Sequence, residues 1–295
     1  MTVPDQILGR RVLAVKALTR PWATAVETSR VTLVHGRVVV YQAGLPTTDG
    51  RAGIARRMRV GRALGAAAPA LGVPAVLDGD AAADPPFLVT AFVPGRGGGE
   101  MLGSPADALV LTRVAGEAVR SVAAVPAQAL HTALPRTWTD ARRLQLSAGR
   151  WLAGETLGKP DTAAALCVLE RIPLLFAEPP SLAHGDLAPV NLVLDGERLA
   201  GLLDLERVRV APAGFDAAWF RLLVRHHHPE RWPDAGPAFL EAAGVGHDPL
   251  VLRRLDDLAI LACLEQAASL PRRSPAREAW AAHAREVLGG EPPGP

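Results

Sequence analysis

The chain has 295 residues, of which 49% are hydrophobic and 21% charged, so it is not a disordered polymer and can bury one large domain or two lobes. With 32 Lys and Arg against 30 Asp and Glu, it has no global basic field of the kind that nucleic-acid binding uses. It also lacks an apolar stretch of about 18 residues, a signal-peptide core and a paired cysteine motif, and we therefore expect a cytoplasmic protein with neither a membrane nor a nucleic-acid partner.

Residues 1–94 have the pattern of a small, β-rich lobe. Runs of apolar and β-branched residues predict strands at Val12–Leu18, Ala25–Val34, Val38–Tyr41, Ala75–Leu77 and Phe87–Thr90. The His35-Gly36 turn joins two of these runs into a predicted hairpin. Between the strands, apolar residues at helical spacing predict a helix over residues 54–68, with arginines on its other face.

The cluster from Pro94 to Gly99 breaks regular structure, and we place the boundary between two lobes there. Its glycines, Gly97–Gly99, are interpreted as a flexible connector. Residues 95–295 are then predicted to form a larger helical lobe, in which Ser104 and Asp161 each cap a helix. The predicted helices cover residues 105–125, 140–151, 162–178, 215–224, 237–243, 249–269 and 274–288.

Three polar side chains with chemical potential lie around a predicted hairpin in the second lobe. Asp186 follows a histidine and a glycine, and the single asparagine of the chain, Asn191, stands five residues later. Two apolar runs joined by the Asp195-Gly196 turn then predict a hairpin, and Asp204 follows its return strand. Because Asn191 and Asp204 flank the turn nearly symmetrically, we expect both to meet Asp186 at the open end.

This combination of side chains suits metal-assisted phosphoryl transfer. Two facing oxygen ligands, from Asn191 and Asp204, match the preference of Mg²⁺ for carboxylate and carbonyl oxygen. A separate carboxylate, that of Asp186, suits a base that orients an acceptor hydroxyl group. The predicted metal is therefore Mg²⁺, acting on nucleotide phosphates, with a hydroxyl compound as acceptor.

The segment HGDLAPVN resembles the catalytic loop H-G-D-x-x-x-x-N of aminoglycoside-phosphotransferase-like kinases. LLDLE resembles their metal-binding I-D-x-E segment, and the motif that begins at Phe215 resembles the D-L-A element that follows it. The resemblance implies an α+β, bilobal, protein-kinase-like fold. It also implies Asp186 as the catalytic base with His184 beside it, Asn191 and Asp204 as Mg²⁺ ligands, and Asp216 as a support of the loop. We favour a structural role for His184 over proton transfer.

The resemblance extends to the strand and hinge that hold the nucleotide in this family. FLVTAFVPG, residues 87–95, resembles the hinge whose backbone contacts adenine, which implies contacts from Thr90, Ala91 and Val93. Thr24 lies in the segment that corresponds to the phosphate-covering loop, and Gln42 on the strand that faces the phosphates.

The front lobe departs from the family pattern at two positions. Tyr41 or Gln42 stands where the family has a lysine that grips the α- and β-phosphates, and Arg57 falls near the expected helix glutamate. Either another cation serves, from Lys16, Arg56 or Arg57, or ATP is held differently, or the protein is a weak or inactive kinase.

Three functions are consistent with these features. The first is an ATP- and Mg²⁺-dependent phosphotransferase for a hydroxyl of an antibiotic or secondary metabolite. A polycationic aminoglycoside fits poorly, because the chain from Glu206 onward has 12 acidic and 11 basic residues and therefore no acidic rim. The alternatives are a precursor-peptide Ser/Thr kinase, as in thioamitide or class V lanthipeptide pathways, and a pseudokinase that binds a nucleotide or partner.

The run His226-His227-His228 is a weaker signal. Consecutive residues point in different directions, so the run by itself makes a poor cage for a single metal ion. We interpret it as a solvated helix end before Pro229.

Overall fold

A computed structural model describes residues 3–18, 26–134, 138–175 and 178–289. Thr24 and the rest of the predicted phosphate-covering loop lie outside the described residues. The strands are β1 Gln6–Ile7, β2 Arg10–Ala17, β3 Val26–Leu33, β4 Val38–Gly44, β5 Val76–Asp80, β6 Phe87–Ala91, β7 Arg96–Gly97, β8 Ser181–Ala183, β9 Leu192–Asp195, β10 Arg198–Leu202 and β11 Arg209–Ala211. The helices are α1 Thr48–Ala67, α2 Gly98–Met101, α3 Pro105–Ala123, α4 Trp138–Thr156, α5 Lys159–Leu175, α6 Phe215–His227, α7 Trp232–Ala243, α8 Pro249–Ser269 and α9 Pro275–Gly289.

The front lobe is built on one antiparallel sheet in the order β1-β2-β3-β4-β6-β5. The predicted hairpin is confirmed: β3 and β4 pair from Val26 opposite Gly44 to Thr32 opposite Val38, around a turn in which His35 and Gly36 have positive φ. Side chains alternate along β4, so that Val39, Tyr41 and Ala43 enter a small apolar core on one face of the sheet.

Helix α1 connects the front lobe to the helical lobe. Its first half packs on the sheet, where a Cβ on Gly44 would lie 3.1 Å from Ile54 Cγ1. Its last turns bury Val60 and Leu64 in the large core of the helical lobe. The helix begins after Thr47, whose hydroxyl accepts a hydrogen bond from the Gly50 amide. Side chains in the middle of α1 are therefore held at the junction of the lobes.

The helical lobe is arranged around α8, whose stretch from Leu255 to Leu264 is buried almost throughout. A helix that is apolar on all sides belongs in the centre of a core. Helix α6 packs on α8, and its Phe220 stacks on Phe239 of α7 with ring centroids 4.7 Å apart. Buried Asp257 is neutralised by Arg171 of α5, at 2.8 Å. These contacts hold α6, which carries part of the candidate site.

The predicted flexible connector between the lobes is wrong. Arg96 and Gly97 form β7, which pairs with β9, and α2 follows at once. The glycines serve close packing instead of flexibility, since a Cβ on Gly98 would lie 2.5 Å from the Pro189 carbonyl oxygen and one on Gly95 would lie 2.5 Å from that of Leu194. The connector is thereby attached to the hairpin of the candidate site.

Several predicted helix starts are also wrong. Helix α1 begins at Thr48 and not at Ile54, because Thr47 supplies its cap, and α4 begins at Trp138 and not at Asp140.

The starts of α7 and α5 differ as well. Helix α7 begins at Trp232, because Pro233 already occupies the favoured position in the first turn, and Pro237 lies inside the helix. Helix α5 begins at Lys159, which places Asp161 in its first turn and not at the cap. The Ser104 cap of α3 is confirmed by a hydrogen bond from the Asp107 amide.

The predicted helix end before Pro229 is confirmed, since α6 ends at His227 and His227 is exposed, but His226 is not simply solvated because it packs against α9. His226 and His227 belong to the last turn of α6, and both rings lie beside His283 of α9.

Among the described residues, no helix is both long and apolar enough to span a bilayer.

Candidate active site

The catalytic loop is braced by a buried carboxylate. Both oxygens of Asp216, in the first turn of α6, accept backbone hydrogen bonds, from His184 N–H at 2.6 Å and Gly185 N–H at 2.9 Å. Burial raises the pKa of Asp216 above its usual value, and the hydrogen bonds from the two amides oppose this shift only in part. The helix cap itself is Gly214, so the carboxylate of Asp216 secures the loop and does not cap α6.

His184 is fully buried and contacts the backbone through both ring nitrogens. Its Nε2 lies 2.8 Å from the Leu203 carbonyl oxygen, and its Nδ1 lies 3.3 Å from the Asp186 amide nitrogen. A carbonyl oxygen can only accept and an amide N–H can only donate. The ring is therefore a neutral Nε2–H tautomer in this arrangement and ties the catalytic loop to the end of β10.

The carboxylate of Asp186 is held by an indole that the sequence analysis missed. Trp219 Nε1 donates to Asp186 Oδ1 at 2.9 Å. Trp219 is buried and stacks on Trp280 of α9, with ring centroids 5.1 Å apart. A buried tryptophan N–H usually finds an acceptor, so the position of Trp219 three residues after Asp216 was the available signal.

Asn191 is the last residue of the catalytic loop and is 1% exposed. Its side-chain Nδ2 donates to the backbone carbonyl oxygen of Asp186 at 2.9 Å. Its backbone carbonyl oxygen accepts a hydrogen bond from Leu203 N–H at 2.8 Å. In the part of the chain that the structure describes, its Oδ1 is buried with no hydrogen-bond partner. An unsatisfied buried acceptor costs about 1–3 kcal/mol, which a bound cation would offset.

Asp204 reaches the same place from the other strand of the hairpin. Leu192 pairs with Leu202, which puts Asn191 and Leu203 at the open end as predicted, with Asp204 one residue further. The backbone of Asp204 has φ 61°, an uncommon conformation that concentrates at functional sites. Its side chain is 12% exposed.

A cation from α1 faces the metal-binding segment that contains Asp204 and Glu206. Arg57 Nη1 of α1 lies 3.6 Å from Asp204 Oδ1, and its Nη2 pairs with Glu206. Neighbouring Arg56 donates from Nε and Nη2 to the carbonyl oxygens of Glu206 and Val208, both at 2.7 Å. The charge on the helix is thus opposite to the family pattern, because α1 carries a cation near the position of the expected glutamate.

The two candidates for the position of the missing lysine are separated by the pleat of β4. Tyr41 enters the front-lobe core and stacks on Phe87, with centroids 6.0 Å apart. Gln42 lies on the other face, which it shares with Gly44 and on which α1 packs. Gln42 is therefore the residue on the face toward α1. Lys16 lies exposed on β2, two strands away from β4.

The predicted hinge runs from the end of β6 to the hairpin of the site. Thr90 and Ala91 belong to β6, where Ala91 N–H donates to the Ala75 carbonyl oxygen at 2.9 Å. Val93 packs against β10 so closely that a Cβ on Gly201 would lie 2.8 Å from Val93 Cγ1. The hinge segment thus rests on the same hairpin that carries Asn191 and Asp204.

Gly185 offers a sharp test of the loop geometry. Its φ is 79°, and a Cβ there would lie 2.2 Å from the Arg207 carbonyl oxygen. We expect Gly185→Ala to lower the free energy of unfolding by about 2–4 kcal/mol and to abolish activity, because the loop must move. The control is Gly196→Ala, with φ 58° but nothing within 4 Å, which should cost about 1 kcal/mol and keep activity. The free energy of unfolding of both variants is measured by urea denaturation. An equal decrease in the two variants would contradict the predicted role of the close contact between Gly185 and the Arg207 carbonyl oxygen.

Comparison with known proteins places the chain in a family. Residues 24–258 match the phosphotransferase enzyme family (APH). None of the curated proteins searched matches the chain.

Solved structures resemble the chain over almost its full length. The macrolide 2'-phosphotransferase MphH from Brachybacterium faecium is 19% identical, with 94% of each chain covered and a TM-score of 0.64. The aminoglycoside phosphotransferase APH(4)-Ia is 17% identical, with 94% of each chain covered and a TM-score of 0.70. A macrolide 2'-phosphotransferase type I is 18% identical over 95% of this chain and 92% of its own, with a TM-score of 0.67.

These similarities confirm the α+β, bilobal, kinase-like fold. The family match covers well over half of the sequence, including the catalytic loop, the hairpin and α1. The chain therefore belongs to the phosphotransferase enzyme family.

Proposed function

We propose that the protein transfers the γ-phosphoryl group of ATP, with Mg²⁺, to a hydroxyl group of a small molecule that is uncharged or weakly charged. The observation that carries this proposal is the buried Oδ1 of Asn191, which has no hydrogen-bond partner among the described residues. It lies one hydrogen bond from the catalytic loop and at the same hairpin end as Asp204.

The donor set fits Mg²⁺. An amide oxygen from Asn191 and a carboxylate from Asp204 are hard oxygen ligands, and Mg²⁺ is usually held by few protein ligands together with water and substrate phosphates. When bound, the ion would neutralise charge on the nucleotide phosphates. Asn191 is held by its own Nδ2 and backbone carbonyl, so its Oδ1 is oriented before any ligand arrives.

Asp186 is the proposed base. The acceptor oxygen forms a bond to the γ-phosphorus, the bond from that phosphorus to the bridging oxygen of the leaving ADP breaks, and the hydroxyl proton passes to the Asp186 carboxylate. Trp219 holds Oδ1, so we assign Oδ2 to the acceptor hydroxyl. His184 contacts only the backbone in the hydrogen bonds described above, and we assign it the positioning of the loop.

Nucleotide binding is assigned to the junction of the lobes. Arg57 is the proposed replacement for the missing lysine, because its guanidinium already lies against the metal-binding loop. Gln42 is assigned to the phosphate side of β4. Thr90, Ala91 and Val93 are assigned to contacts with adenine. Because the Ala91 N–H already donates to the Ala75 carbonyl oxygen, a backbone N–H that donates to adenine would come from a residue after Ala91.

The acceptor is proposed to carry little positive charge. Several carboxylates of the later helices are neutralised within the protein: Asp256 by Arg221, Glu265 by Arg209 and Glu278 by Arg285. Such pairs leave little negative potential to attract a polycation. Structural relatives include macrolide phosphotransferases, and macrolides are hydroxyl-rich and far less cationic than aminoglycosides.

An ADP-release assay over a panel of acceptors tests the function. We expect Mg²⁺-dependent ADP release with one or more macrolides and none above background with kanamycin or hygromycin B. Release with aminoglycosides alone would overturn the acceptor assignment. Nucleotide binding without transfer to any macrolide, aminoglycoside or Ser/Thr peptide would favour the pseudokinase alternative.

A further inference from the structure

A cluster of imidazole and carboxylate side chains joins α6 to α9, outside the candidate active site. His226 comes from the last turn of α6, and His283 and Glu286 come from α9. One nitrogen of each histidine and one Glu286 oxygen lie within 4.8 Å of one another. His226 Nδ1 and Glu286 Oε2 are 3.1 Å apart. Within the described ranges, it is the one such group of three or more His, Cys, Asp or Glu side chains.

The helix geometry explains why the three side chains converge. His283 and Glu286 are three residues apart on α9 and therefore share one face of that helix. The α6 residue that meets this face is His226, whose ring centroid lies 3.6 Å from that of His283. The arrangement thus draws one residue from the run of three histidines and two from a helix distant in sequence.

The polar groups of the cluster are not fully satisfied. His283 Nδ1 is buried and has no hydrogen-bond partner in the described structure. Imidazole nitrogen is the commonest protein ligand of metal ions, and this one is left without a partner.

We propose that His226, His283 and Glu286 bind a divalent transition-metal ion of the Zn²⁺ class. Two imidazoles and one carboxylate are donors that Zn²⁺ accepts, with water completing a tetrahedral shell. Bond lengths of about 2.0–2.1 Å put tetrahedral ligand atoms roughly 3.3 Å apart. The His226–Glu286 pair is already at that distance, and rotations of partly exposed side chains bring in His283.

Such an ion would fasten the C-terminal helix to the helix that supports the catalytic loop. The first turn of α6 contains Asp216, and its second turn contains Trp219. Trp219 stacks on Trp280, which precedes His283 by one turn of α9. Binding of the ion therefore stabilises the packing of α9 on α6.

Calorimetric titration of the whole, EDTA-treated protein with ZnCl2 tests the proposal. Millimolar Mg²⁺ is included so that it occupies the proposed site at Asn191 and Asp204 and prevents Zn²⁺ from binding there. We expect one equivalent to bind and, at about a hundredfold excess over Kd, a rise in Tm of roughly 5 °C. Absence of binding at 100 µM Zn²⁺ would overturn the proposal.

Four single variants locate the site. His226→Gln, His283→Gln and Glu286→Gln should each weaken zinc binding by about tenfold or more, while His228→Gln, adjacent to α6 but outside the cluster, should not. Co²⁺ added to the zinc-free protein should give visible absorption bands that the three variants lose and the control keeps. Because Glu286 is partly exposed, its variant should fold even if His283→Gln does not. Unchanged zinc affinity in Glu286→Gln, or a loss in His228→Gln alone, would assign the metal elsewhere.

Discussion

Asp186→Ala is expected to lower kcat for phosphoryl transfer by about 10²–10⁴-fold, which is the usual contribution of a positioned base. Binding of ATP and Mg²⁺ should stay within about twofold of the wild-type value, because the proposed metal ligands Asn191 and Asp204 remain. The backbone of the loop should also persist, since Asp216 holds it through the amides of His184 and Gly185. Single-turnover assays and nucleotide titrations measure the two quantities separately.

The matched control for this variant is Asp195→Asn. Asp195 is an exposed carboxylate at the turn end of the same hairpin, so its loss should leave the rate unchanged. Trp219→Phe keeps an aromatic ring but removes the donor to Asp186 Oδ1, and we expect a smaller loss of kcat with little change in KM. Wild-type kcat in Asp186→Ala would remove the base assignment.

Asp204→Ala is expected to damage binding as well as turnover. The proposed metal site loses its charged ligand, so nucleotide affinity in the presence of Mg²⁺ should fall by about tenfold or more and should no longer depend on Mg²⁺ concentration. Titration of nucleotide at several Mg²⁺ concentrations checks this result. Glu206→Gln is the control: that carboxylate pairs with Arg57 and is 34% exposed, and we expect a milder effect.

A double-mutant cycle tests whether Arg57 acts through Asp204. Arg57→Gln alone should weaken Mg²⁺-dependent binding, because Asp204 loses the guanidinium at 3.6 Å. In the Asp204→Ala background the same substitution should add little, since residues that contact each other have non-additive effects. If the two substitutions lower the free energy of Mg²⁺-dependent nucleotide binding by fully additive amounts, Arg57 acts independently of Asp204.

The catalytic loop and the hairpin were predictable because their geometry is local. The two-residue turn is Gly196-Glu197, one residue later than predicted, because Asp195 itself pairs with Arg198. The register shifts once more along β10, but the paired strands still bring Asn191 and Asp204 to one open end. The alternation of β4 is equally local, but which face α1 covers had to come from the fold, and this decided between Tyr41 and Gln42.

Other features of the site could not be derived from local patterns. The sequence offers Arg57 only as one of three candidate cations, with Lys16 and Arg56, and it shows Trp219 as an apolar residue of a core helix. The glycines after Pro94 look flexible until Gly98 is seen against the Pro189 carbonyl. The run of histidines looks solvated throughout until His226 is seen against His283 of α9.

By itself, the sequence determined the order of the chemical groups along the chain and the hairpin that brings Asn191 and Asp204 together, because strand register acts over a few residues. The tertiary structure alone decided that Trp219 holds Asp186 from 33 residues away, that Arg57 reaches Glu206 across 149, and that His226 meets Glu286 across 60. Contacts of this kind depend on how helices pack, and packing is set by the summed burial of many side chains and not by the residues that finally touch.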